Sequence, residues 1–162
     1  MPKKSKDKGA RGEREAAAVL TELTGVEWRR GLSQSRFGGA ETPDIEPVEP
    51  SRIWSDWHVE VKRNRDRVDI RRAMVQAVSD ARCRDLAPVV VWRVDRRKWQ
   101  ATTRAGDLAI ASAWFAKVGR APQLHKGDHT QPLDFVDWAA PHSALVTLNL
   151  ADWVALVGWP IV

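Results

Sequence analysis

Asp44, in Pro43-Asp44, and Glu60, in Glu60-Val61-Lys62, are separated by fifteen residues, and the second group lies in a run that reads as a strand. Side chains alternate across a strand, so Glu60 and Lys62 share one face while Val59 and Val61 point the other way, into a core. This leaves Glu60 and Lys62 available beside Asp44. Two carboxylates supply hard oxygen ligands for Mg2+, and an ammonium can orient water or meet phosphate charge. That combination suits metal-dependent phosphodiester cleavage. Taken alone, acid and base at i and i+2 on a strand equally describe a solvated face with a weak ion pair, and Pro-Asp equally opens a turn.

A third acid, Glu13, stands in Lys8-Gly9-Ala10-Arg11-Gly12-Glu13-Arg14-Glu15, which leads into a helical pattern beginning near Gly12. From Glu13, helical spacing reaches Ala16, Ala17 and Leu20, so the carboxylate is in line with the apolar stripe. A first-turn acid also complements the helix dipole, by roughly 0.3–1 kcal/mol.

The order Glu13, Pro43-Asp44, Glu60-Val61-Lys62 resembles the PD-(D/E)XK nuclease superfamily, and within it the archaeal-type Holliday junction resolvases, including phage-encoded forms. The Lys8–Glu15 opening and the Gly/Ser-rich stretch 31–40 carry this resemblance, which covers about residues 8 to 100. It implies catalytic roles for Glu13, Asp44, Glu60 and Lys62. Asp44, Glu60 and the Val61 carbonyl would bind Mg2+, with Mn2+ as a substitute, and Glu13 would complete the site directly or through water. Gln76, on the next helix, matches an accessory glutamine of some members. The resemblance further implies branched DNA, a four-way junction, as substrate and a homodimer that makes one cut per subunit. A restriction-like nuclease, a flap or end repair nuclease, and a catalytically silent DNA-binding protein are the alternatives.

Charge agrees with a polyanionic partner. The net charge is +5 and the pI 9.8, with 22 Lys or Arg against 16 acids in residues 1–100 and 4 against 5 afterwards. Arg63, Arg65, Arg67, Arg71 and Arg72 follow Lys62 directly and are the expected phosphate contacts. Lys8, Arg11 and Arg36 add to them, and Phe37 in the Gly-rich loop is the aromatic placed to meet distorted DNA. The nine tryptophans are expected mainly in packing. His125, His129 and His142 fit no ligand spacing.

These residues must be positioned by a mixed α/β core. The patterns predict a helix at 11–24, strands at 26–30, 44–48 and 57–63, a helix at 69–86 ended by Pro88, and strands at 89–94 and 98–102. A helix at 105–117, a strand at 144–148 and a short helix at 151–157 follow. The fold expected is a restriction-endonuclease-like α/β core, a mixed central β-sheet flanked by helices, with a C-terminal α/β extension. One domain is expected, divided into a flexible basic leader (1–8), a nuclease core (9–103) and an extension (104–162) packed on the core or at a dimer interface. One cysteine, Cys83, excludes an internal disulfide. With no apolar run long enough to span a bilayer, the expected setting is the cytoplasm of a bacterial, archaeal or phage-infected cell, without membrane contact.

Overall fold

The structure is a computed structural model and describes residues 3–31, 42–108 and 144–157. Its centre is a six-stranded sheet in sequential order: β1 (Trp28–Arg30), β2 (Ile45–Pro47), β3 (Trp57–Asn64), β4 (Ala87–Val94), β5 (Gln100–Arg104) and β6 (Leu145–Asn149). All neighbours are antiparallel except β3 and β4, which run parallel from Trp57↔Ala87 to Asn64↔Val94. A parallel pair needs a crossover, supplied by helix α2 (Ile70–Arg82). Helix α1 (Lys3–Thr24) precedes the sheet and α3 (Leu150–Val157) follows it. The mixed α/β class is as expected.

The apolar stripe of α1 buries Ala16, Ala17 and Leu20 against Val59 and Val61, in one cluster with Ile45, Val89, Val91 and Leu148. A series of edge contacts extends it: Trp28 to Trp54 (6.1 Å between centroids), Trp54 to Trp153 (5.8 Å) and Trp153 to Trp57 (5.2 Å). These tryptophans supply packing area, as aromatic rings in cores do. The α2 face of the sheet carries a thinner layer of Ala73, Met74, Ala77 and Val90. Small side chains on α2 bring helix and sheet close, and polar residues of β3 become enclosed between them.

Several elements depart from expectation. Helix α1 starts at Lys3, so Lys3 to Lys8, expected as a flexible leader, are helical. Gly12, expected near the helix start, lies inside it and against β3, where a Cβ would stand 3.1 Å from that of Arg63. Helix α2 begins at an Asp69 cap, whose side chain accepts from the Arg72 N–H at 3.1 Å. It ends at Arg82 rather than Leu86, because Asp85 adopts φ 55° and turns the chain early. Pro88 is therefore part of β4, paired with His58. Within residues 144–157, β6 pairs with β5 at the edge of the sheet and α3 buries Trp153, Val154 and Leu156.

Candidate active site

Alternation along β3 sends Trp57, Val59 and Val61 into the α1 cluster and leaves His58, Glu60, Lys62 and Asn64 on the α2 face. Strand β2 delivers Asp44 to the same place. Ile45 pairs with Val59, so Asp44, one residue earlier, lies across from Glu60. The Asp44 N–H donates to the Val59 carbonyl at 2.9 Å, and its Oδ2 accepts from the Val61 N–H at 2.7 Å. The chain reaches this point through Gly31, whose N–H donates to the Asp44 carbonyl at 2.9 Å. A Cβ at position 31 would stand only 2.2 Å from the Pro43 carbonyl oxygen, so only glycine fits there.

Glu60 is 2% exposed, because helix α2 covers it. Burial, reinforced by the neighbouring Asp44 carboxylate, pushes its carboxyl up to about 7, against the opposing pull of Lys62. Lys62 Nζ pairs with Glu60 Oε1 and donates to Gln76 Oε1 at 3.3 Å. Lys62 and Gln76 open into a cavity of about 350 Å³ bordered also by Asn64, Asp69 and Arg72. The expected acid pair, lysine and accessory glutamine are thus brought together.

Other expected residues lie elsewhere. Glu13 is on α1, which covers the opposite face, and its Oε2 accepts from Arg30 Nε at 2.5 Å. Arg63, expected as a phosphate contact, is instead turned by strand alternation away from Lys62. It ties Glu15 (3.0 Å) to Asp95 (3.0 Å), with its side chain only 16% exposed. Arg93 joins the same cluster through Glu15 at 2.6 Å. Arg65, Arg67, Arg71 and Arg72 are exposed on the segment leading into α2 and on its first turn. Lys8 is exposed on α1, and Arg11 is exposed while pairing with Glu15 at 3.0 Å. Arg36, Phe37, His125, His129 and His142 lie outside the described residues.

Two residues join the site without having been anticipated. His58 precedes Glu60 by two positions on the same strand face, and Asp80 follows Gln76 by one helical turn on α2. Ligand atoms of His58, Glu60 and Asp80 lie within 4.8 Å of one another. Burial holds the His58 pKa below its ordinary value, with Arg84 adding to that effect and Asp80 opposing it. Period-two alternation would have flagged His58; Asp80 required the register of helix against strand.

The donor set fits a hard divalent cation. Asp44 and Glu60 are enclosed together, and burial, reinforced by the Asp44 charge, drives Glu60 toward its protonated form, a state that a cation between them would relieve.

Residues 4–118 match the family described as "Phage putative PDDEXK endonuclease". Comparison with curated proteins finds no match. Among solved structures, one similar chain is the 1.6 Å structure of Archaeoglobus fulgidus Hjc, a Holliday junction resolvase from an archaeal hyperthermophile. It is 22% identical, with 58% of this chain and 70% of that chain covered and a TM-score of 0.41. Among the described residues, no helix is long and apolar enough to cross a membrane.

Proposed function

The chain belongs to the phage PDDEXK endonuclease family, and on that premise we propose that it is a Mg2+-dependent endonuclease that cuts branched DNA, resolving four-way junctions as a homodimer. The observation that carries the nuclease reading is the convergence of Asp44, Glu60 and Lys62 on one sheet face, with Lys62 bordering a cavity. The four-way junction as substrate follows from the resemblance of residues 8–100 to the archaeal-type resolvases. A two-fold dimer would match the pseudo-symmetry of a junction with one site per strand.

In this reading Asp44 and Glu60 hold the cation, with the Val61 carbonyl as a third donor. The bound ion would lower the pKa of its water and offset charge on the scissile phosphate. Asp44 is fixed by the Val61 N–H, which holds its carboxylate in a constant direction. Glu60 must be ionised to serve as a ligand, which its raised pKa makes a matter of pH. Lys62, held between Glu60 and Gln76, presents its ammonium toward the cavity, where it orients the attacking water or meets developing negative charge. Arg72 borders the same cavity, and Arg65, Arg67 and Arg71 extend a basic track for the DNA backbone.

The test is incubation with labelled four-way junction, flap, duplex and single strand, each with Mg2+ or EDTA. Mg2+-dependent cutting of the junction in preference to the others is expected. Preferential duplex cutting would point to a restriction-like enzyme, and preferential flap or end cutting to a repair nuclease. Salt-sensitive binding without cutting would identify a silent DNA-binding protein.

A further inference from the structure

On the α2 face of β3, His58 lies deeper than Lys62, on the side of Glu60 away from the cavity. It is fully buried, and neither Nδ1 nor Nε2 has a hydrogen-bond partner among the described residues. An imidazole removed from water with both nitrogens unpartnered forfeits hydrogen bonds at each. Such a group in a native interior calls for an occupant. The atoms facing it are carboxylate oxygens: ligand atoms of Glu60 and Asp80 lie within 4.8 Å of the ring and of each other. Lys62, the cation bonded to Glu60, is engaged toward Gln76 on the cavity side. Metal–ligand bonds of about 2.0–2.2 Å allow two ligands of one ion to stand up to about 4.4 Å apart. Small rotamer adjustments therefore close the three groups around a cation.

We propose that His58, Glu60 and Asp80 form a second cation site, for a transition-metal ion such as Mn2+, Co2+ or Zn2+, placed behind the nuclease centre and sharing Glu60 with it. Imidazole nitrogen with two carboxylates is a borderline donor set. It favours first-row transition metals, whereas Mg2+ prefers oxygen alone. The ion at this depth positions Glu60 and has no access to DNA. This inference goes beyond the nuclease reading and survives its failure, because metal binding at His58 and Asp80 is measured without nucleic acid.

The experiment titrates the metal-free full chain with Mn2+ alone and follows stoichiometry together with nitrogen coupling in pulsed electron paramagnetic resonance. Two Mn2+ per chain are expected, one of them coupled to a directly bound imidazole nitrogen. Asp44→Asn should retain the nitrogen-coupled ion, His58→Gln should lose the coupling, and Asp80→Asn should bind that ion at least about tenfold more weakly. Excess Mg2+ should displace only the uncoupled ion. Absence of nitrogen coupling in the unmutated chain overturns the proposal, as does coupling that persists in His58→Gln. Should His58→Gln fail to fold by circular dichroism, Asp80→Asn decides: unchanged affinity for the coupled ion overturns the site. Loss of junction cutting with the coupled Mn2+ still bound would count against the nuclease reading and leave this site standing.

Discussion

Asp44 Oδ2 accepts the main-chain N–H of Val61 at 2.7 Å, so the first acid of the site also clamps the strand that presents the second. Truncating it leaves a buried N–H unpaired, which costs about 1–3 kcal/mol. Asp44→Ala is therefore expected to abolish cutting and to lower stability by that amount in urea unfolding. Asp44→Asn keeps an accepting oxygen and relieves the repulsion on Glu60. It should unfold close to the unmutated chain and still fail to cut, which separates the clamp from the metal-binding role.

Glu60 makes stability depend on pH. Its folded pKa of about 7 lies above the ordinary 4.5, so the folded state takes up the proton more readily. Its contribution is full below about pH 4.5 and is lost as pH rises through 7. Glu60→Gln removes the titration. In EDTA, the stability of the unmutated chain relative to Glu60→Gln should fall between pH 5 and pH 8, by on the order of 3 kcal/mol at most. Added Mg2+ should shrink this difference, because the ion favours the ionised carboxylate. Unfolding free energies at a series of pH values provide the check, and a pH-independent difference would contradict the account.

The arginines after Lys62 divide by strand face. Arg63→Ala breaks the links to Glu15 and Asp95 and should destabilise the fold by about 1–3 kcal/mol, with little change in the salt dependence of DNA binding. Arg72→Ala, on the exposed first turn of α2, should leave unfolding within about 0.5 kcal/mol of the unmutated value. It should reduce the slope of log K against log salt by about 0.9 if it contacts one phosphate. Filter binding at several salt concentrations, with thermal melts alongside, distinguishes the two.

Gly31→Ala places a methyl group 2.2 Å from the Pro43 carbonyl oxygen, so the end of β1 and the Asp44 segment must separate. A loss of about 1–3 kcal/mol is expected from this overpacking. Cutting should fall more than DNA binding does, since the shift displaces Asp44 and leaves the basic track on α2 in place. Equal losses in both would indicate general unfolding.

Much of the site was legible because its grammar is local. Alternation along residues 57–64 assigned Glu60 and Lys62 to one face and Val59 and Val61 to the other, and the structure keeps that division. The same alternation turns the Arg63 side chain from Lys62 toward Glu15 and Asp95. It should also have drawn attention to His58. Glu13 was in line with the apolar stripe, but nothing in a helical period announces Arg30 as its partner, because that pairing depends on where β1 meets α1.

What the sequence by itself determined is the identity and order of the chemical groups and the periodicity of the elements that bear them, since both follow from backbone geometry over a few residues. Tertiary structure decided their electrostatic state and their company. The alanine-rich face of α2 packs closely enough to bury Glu60 and raise its pKa. The register of α2 on β3 then sets Gln76 beside Lys62 and Asp80 beside His58. Desolvation and long-range pairing depend on how two elements dock, and no spacing along one chain segment encodes that.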